Sequence, residues 1–250
     1  LRLVDAQLAE GPAVPRAPVL ADAGYGDTVE FRDGLTARGL AYAVGVSKTT
    51  SVWAPGTQPL PPKPYLGRGR PSTALRRTPE HTPVSALDLA RALPAEAWSN
   101  VIWREGTRGD MTSRFVAVRV RPSHRDTARR SPRAVEWLLI EWPTGEPEPT
   151  KYWLSTQPET ISLPDLVRLA KLRWRIERDY QELKDELGLD HFEGRGWRGF
   201  HHHATLCVAA YGFLIAERAR LPPPEPRRRT PLAPVALPRG FRPRGATSAR

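Results

Sequence analysis

The chain has 250 residues, a formal net charge of +11 and 40% hydrophobic residues, which is enough apolar material for a folded core. Its single cysteine, Cys207, excludes an internal disulfide and a zinc site built from several cysteines. No run approaches the roughly 18 apolar residues of a membrane span. No signal peptide is visible, so we expect a cytoplasmic protein without a membrane partner.

The positive charge favours a polyanionic partner, but much of it lies in a Pro-rich C-terminal segment. Residues 222–250 contain seven Arg and one Glu, which gives +6 and leaves +5 for residues 1–221. Composition predicts that residues 222–250 form a disordered basic tail. The charge therefore supports nucleic-acid binding only weakly for the folded part.

The first fifty residues predict an α/β unit with parallel strands. The predicted elements are a helix at 1–10, a strand at 17–21, a helix at 28–38 and a strand at 42–46. Asp22 follows the first strand, at the strand end where ligands bind in open α/β sheets; a turn-forming role is the alternative. Gly24 and Gly26 permit a tight turn, and Asp27 is interpreted as a helix N-cap with Glu30 completing a capping box.

The middle of the chain divides by composition into two parts. Residues 51–83 are rich in proline and basic residues and predict an extended linker without a core. Residues 84–156 predict a β-rich module with a short helix at 86–93 and strands at 114–121, 135–142 and 151–155. Between the helix and the strands, residues 103–114 are interpreted as a basic, glycine-containing turn.

Residues 157–221 predict two helices, the first from Ser162 to about Leu187 with Gly188 as its stop signal. At 100° per residue an apolar stripe emerges, formed by Leu169, Leu172, Ile176, Leu183 and Leu187. Along its edge lie Arg173, Glu177, Tyr180 and Lys184. This edge is either a ladder of surface ion pairs or a metal-binding glutamate with cations placed for phosphates. The second helix is predicted at 204–220 and should pack on the first.

The stretch LADAGYGD, followed much later by RWRIERDYQELKDELGLDHFEGRGWRGFHHH, resembles the DDE transposases of bacterial insertion sequences. The specific branch carries a β-rich insertion and a Tyr, Arg, Glu, Lys signature with two, three and six residues between successive members. Arg173, Glu177 and Lys184 fit that spacing, whereas Ala170 occupies the Tyr position. The resemblance covers nearly all of residues 1–221.

The resemblance implies an α/β fold with an RNase H-like core. Residues 17–21 and 41–46 would be its fourth and fifth strands, the β-rich residues 84–156 an insertion, and 162–187 the catalytic helix. Asp22 and Glu177 would be the second and third acidic metal ligands. The strands that carry the first catalytic Asp are not found in the sequence, and Asp5 on a helix is a poor substitute. We therefore expect the C-terminal part of a transposase.

The implied chemistry is phosphodiester cleavage and strand transfer with Mg²⁺, for which Mn²⁺ would substitute. Carboxylate oxygens are the ligands that Mg²⁺ prefers, so the expected metal ligands are Asp22 and Glu177. Arg173 and Lys184 would pair with phosphates near the scissile bond. Trp103, Arg104 and Arg108 are the further DNA-binding candidates, with core packing as the alternative for the tryptophan.

The consecutive histidines His201, His202 and His203 point in different directions on a helix, so a shared metal site is not expected. The expected partner is double-stranded DNA, both element ends and target, with a homodimer or a complementing transposase subunit as a further partner. When bound to DNA, the protein is expected to associate with the nucleoid. The alternative function is a non-catalytic DNA-binding remnant that interferes with an intact transposase.

Overall fold

The computed structural model describes residues 1–9, 16–70, 72–106 and 109–221. The predicted tail at 222–250 and the predicted DNA contact Arg108 lie outside these residues. The chain divides into two units, Leu1–Arg178 and Asp179–Arg250, and each is described by itself.

The helices of the described residues begin and end close to their predicted positions in the first half of the chain. They are α1 (Arg2–Ala9), α2 (Ala23–Gly26), α3 (Val29–Ala37), α4 (Ala86–Ala92), α5 (Leu163–Lys171), α6 (Trp174–Asp185) and α7 (Trp197–Arg220). Two of them begin at a Ser N-cap whose hydroxyl accepts a backbone N–H from an Asp three residues on. These caps are Ser85 before α4 and Ser162 before α5.

The described strands are β1 (Val19–Ala21), β2 (Tyr42–Val46), β3 (Ser51–Trp53), β4 (Val84–Ser85), β5 (Ser99–Gly106), β6 (Gly109–Pro122), β7 (Glu136–Trp142) and β8 (Lys151–Ser155). They form one sheet in the order β1-β2-β8-β7-β6-β3-β4, with β5 paired to β6. The predicted parallel pairing of the first two strands is confirmed, with Val19 opposite Tyr42. The other strand pairs are antiparallel.

The strands after residue 84 extend the sheet that β1 and β2 begin, since β8 lies directly beside β2. The expected turn at 103–114 is too long, because the two antiparallel strands β5 and β6 extend into it, to Gly106 and from Gly109. The linker prediction for residues 51–83 is also wrong in part. Trp53 on β3 is buried and donates its Nε1–H to the buried carboxylate of Asp126, which also binds Arg77 at 2.6 Å.

Alternating residues of the central strands separate the core into two clusters, one on each side of the sheet. Leu138 and Ile140 of β7 belong to a cluster with α3 and α4, whereas Leu139 belongs to a cluster with α5. The sheet is therefore covered by helices on both faces, and the fold is mixed α/β.

The predicted single helix from Ser162 to Leu187 is wrong in its middle, where Leu172 and Arg173 form a turn between α5 and α6. Backbone N–H groups in this turn bond three residues back rather than four, from Leu172 to Leu169 and from Ile176 to Arg173. This tightening changes the phase of the helix. As a result Leu172 and Ile176, predicted in the core stripe, are 40% and 46% exposed.

The second unit contains the end of α6 and all of α7. Gly188 adopts φ +65°, and the N–H groups of Gly188 and Leu189 bond to the carbonyls of Lys184 and Leu183, as in a Schellman motif. Helix α7 begins at Trp197, seven residues before its predicted start. Within this unit the predicted helix contact is formed by Tyr211, whose hydroxyl bonds to Asp179 and Glu182. No helix in the described part of the chain is long and apolar enough to cross a membrane.

Candidate active site

Asp22 lies where the sequence predicted it, directly after β1 and at the N-terminal end of α2. The first turn after the strand is a short helix packed against β2. A Cβ atom on Gly26 would lie 1.8 Å from the carbonyl oxygen of Gly45, so only glycine allows this approach. The glycine thus fixes the backbone that carries Asp22, a role different from the predicted tight turn.

Asp27 does not cap α3, and the predicted capping box is wrong. Thr28 is the residue that precedes the helix. The Asp27 carboxylate instead accepts the backbone N–H of Ser47 at 2.9 Å and the hydroxyl of Thr50 at 3.2 Å. It therefore ties α2 to the turn that follows β2.

Arg173 joins the two predicted acidic residues. Its NH1 nitrogen lies 3.8 Å from an Asp22 oxygen, and its NH2 nitrogen lies 3.2 Å from a Glu177 oxygen. All three side chains are partly exposed, at 49% for Asp22, 40% for Arg173 and 70% for Glu177. Residues 151 positions apart in sequence are thus brought together at the end of β1, with one cation between two carboxylates.

These three side chains line a cavity of about 790 Å³ that lies entirely within the first unit. The cavity walls also carry Trp103, Trp174 and the charged residues Asp110, Glu141, Lys151 and Lys171. Four carboxylates and three cations give these walls a formal charge of −1, in a chain whose net charge is +11. An acidic cavity favours a cation as its direct ligand.

The wall of the cavity contains a buried ion pair that the sequence did not predict. Lys171 Nζ, at the end of α5, binds both oxygens of Glu141 on β7, at 2.6 and 2.7 Å. The two side chains are only 9% and 6% exposed. Burial lowers the pKa of Lys171, and its hydrogen bonds to Glu141 oppose that change.

Trp103 and Arg104 lie on β5, next to the turn between α5 and α6. The Lys171 ammonium lies 4.4 Å from the centre of the Trp103 ring, and the Arg104 guanidinium lies 3.9 Å from the centre of the Trp174 ring. Both predicted DNA contacts therefore already have protein partners. Trp103 lines the cavity and packs partly against the core, so it combines features of the two interpretations.

The carboxylates of the cavity offer the oxygen ligands that Mg²⁺ prefers. Among the residues that the structure describes, no group of three or more His, Cys, Asp or Glu side chains could hold a metal ion. Asp22 and Glu177 are nevertheless oxygen donors on one acidic cavity. Mg²⁺ commonly uses one or two carboxylates together with waters and substrate phosphates. Asp22 and Glu177 thus offer Mg²⁺ the right type of ligand atom and would form part of its coordination sphere.

The other residues that the sequence singled out have different surroundings. Lys184 belongs to the second unit, and its role as a phosphate contact stays a prediction. Ala170, at the Tyr position of the signature, is a buried residue of α5, and Tyr180 is exposed. Asp5 pairs with Arg38 at 2.5 Å and is not part of the cavity wall. His203 bonds to the carbonyl of Gly188, which supports a structural role for that histidine.

Residues 1–110 match the family described as DDE superfamily endonuclease, and this range includes Asp22 but not Glu177. The search of the curated proteins found no match. The family match supports a DDE transposase-like family, and the mixed α/β sheet is consistent with a DDE or RNase H-like nuclease fold.

Proposed function

With a DDE transposase-like family supported by that match, we propose that this chain acts in DNA transposition through Mg²⁺-dependent cleavage of phosphodiester bonds. One observation carries the proposal: Asp22 and Glu177, from distant parts of the sequence, meet on one acidic cavity with Arg173 between them. If Arg173 and Glu177 formed only a surface ion-pair ladder on their helix, that ladder would not require Asp22 from the end of a strand. The family itself implies a DNA substrate.

Asp22 and Glu177 would hold the metal ion through carboxylate oxygens. Mg²⁺, or Mn²⁺ in its place, would supply Lewis acidity and charge neutralisation at the scissile phosphate. Arg173, which lies between the two carboxylates, would then donate two parallel hydrogen bonds to a phosphate of element-end DNA. Lys184, in the second unit, would bind the DNA backbone.

Two carboxylates are fewer than the three of a DDE set, and the other acids of the cavity do not complete it. Glu141 is neutralised by Lys171, and Asp110 lies exposed at the start of β6. We propose that a complementing transposase subunit supplies the third carboxylate. The described residues alone would then bind metal weakly and cleave DNA slowly.

The absence of a three-ligand group among the described residues favours one alternative function. In that alternative the chain binds element-end DNA without cleaving it and interferes with an intact transposase. It shares the DNA surface of the first proposal and differs in the use of Asp22 and Glu177.

A nicking assay on supercoiled DNA that carries the element ends separates the two functions. The wild-type chain, alone and mixed with an intact transposase whose own catalytic Glu has been replaced, is incubated with Mg²⁺ or Mn²⁺. Metal-dependent nicking that disappears in Glu177→Gln and Asp22→Asn supports the enzyme. Binding of the same DNA without nicking in any mixture supports the remnant, and neither binding nor nicking refutes both.

A further inference from the structure

The hairpin of β5 and β6 passes the turn between α5 and α6 with an irregularity in its first strand. Ile102 pairs with Thr112 and Arg104 pairs with Met111, so Trp103 is the extra residue of a β-bulge. A regular strand would point Trp103 and Arg104 to opposite faces of the sheet. Bulges re-aim side chains and occur often beside active sites.

The bulge directs two consecutive side chains at the same turn. Trp103 contacts Lys171, the last residue of α5, and Arg104 covers the ring of Trp174, the first residue of α6. The residues between these two contacts are Leu172 and Arg173, the turn itself. The hairpin thus contacts the turn on both of its sides.

The turn between α5 and α6 interrupts the regular hydrogen bonding of the two helices. Its hydrogen bonds follow the three-residue pattern, and Leu172 is 40% exposed. Arg173 leaves the turn toward Asp22, and Glu177 lies one helical turn further along α6. Any rotation of α6 about this turn would therefore move both side chains relative to Asp22.

We infer that Trp103, Arg104 and Trp174 are positioning residues, which hold the start of α6 so that Arg173 and Glu177 face Asp22. Of these contacts, the one between Arg104 and Trp174 holds α6 directly, because Trp174 is the first residue of that helix. The inference rests on the proposed function for its consequence in catalysis, but the geometry of the turn can be tested without it. It also assigns Arg104 a role other than the direct DNA contact that the sequence predicted.

The test uses the full chain with Arg104→Ala, Arg104→Lys and Trp174→Phe, and Arg114→Ala as the matched control. Arg114 lies over the ring of Trp142 at 4.8 Å, so its replacement removes the same kind of contact from the same sheet, away from the cavity. Hydrogen exchange reports the backbone of residues 172–178, and titration with Mn²⁺ reports the two carboxylates.

Arg104→Ala is expected to speed amide exchange in the first turn of α6 and to weaken Mn²⁺ binding, each by about 2- to 30-fold, the range that one cation–π contact supports. Arg104→Lys and Trp174→Phe, which keep a cation and a ring respectively, should recover part of both effects. Arg114→Ala should change neither. In a DNA-cleavage assay the loss should fall on kcat, with KM for DNA nearly unchanged.

Unchanged exchange at residues 172–178 in Arg104→Ala would overturn the inference. If DNA binding by Arg104→Ala is also weaker, and the slope of its binding constant against salt concentration is reduced by about one, Arg104 is a phosphate contact instead. If the wild-type chain neither binds Mn²⁺ nor cleaves DNA, the proposed function fails. In that case the exchange data still decide whether Arg104 holds the turn.

Discussion

Replacing Arg173 by Gln is expected to strengthen divalent-metal binding while weakening DNA cleavage. The guanidinium pairs with Asp22 at 3.8 Å and with Glu177 at 3.2 Å, and a metal ion must displace it from both carboxylates. Partly exposed ion pairs contribute about 0.2–1 kcal/mol each. Removing both competing contacts should therefore lower the Kd for Mn²⁺ by about 2- to 30-fold.

Calorimetric titration with Mn²⁺ measures this change, with Arg114→Gln as a control that removes a cation outside the cavity. Glu177→Gln should lose most of the binding. Because exposed pairs are screened by salt, the advantage of Arg173→Gln should shrink as ionic strength rises. Mn²⁺ binding no tighter in Arg173→Gln than in Arg114→Gln would refute the competition between the guanidinium and the metal.

Three further predictions concern stability, each measured by urea denaturation. Lys171→Met should lower the free energy of unfolding by about 3–5 kcal/mol, because it leaves the Glu141 carboxylate buried without its partner; a loss below about 1 kcal/mol would contradict that pairing. Burial raises the pKa of Glu136 above its usual 4.5, so the folded state binds that proton more tightly than the unfolded chain. The stability from this group is present below pH 4.5 and falls as pH rises through the folded pKa. Glu136→Gln should therefore be more stable than wild type at neutral pH and lose that advantage in acid, whereas a constant difference would oppose this reasoning. Ala170→Tyr, which restores the signature residue, should cost about 1–3 kcal/mol because Ala170 is buried, and a stable variant with faster cleavage would argue against it.

The elements that the sequence predicted best are those specified by neighbouring residues. The buried run of β2 and the Ser85 cap of α4 each depend on a few consecutive positions. The parallel pairing of β1 and β2 follows from the helix between them, since a crossover of that length returns the chain in the same direction. The position of Asp22 was predictable for the same reason, because it follows an apolar run and precedes Gly24 and Gly26.

The features that the sequence missed depend on partners far along the chain. Glu141 and Lys171 are thirty residues apart, and neither has a local pattern that marks it as buried. The bulge at Trp103 is a property of strand register, which no single strand reveals. The turn at Leu172 and Arg173 was not predicted, because a constant 100° per residue assumes an unbroken helix. The sequence there contains neither Gly nor Pro to mark a break.

The two interpretations of Arg173 and Glu177, a surface ion pair or part of an active site, prove not to exclude one another. A spacing of four residues places two side chains on one helical face, so it forms an ion pair wherever the signs are opposite. The structure contains that pair and places it on the cavity at the same time. The distinction comes from Asp22, which reaches the same guanidinium from a strand end. Helical spacing alone therefore carries little information about function here, and the long-range carboxylate carries most of it.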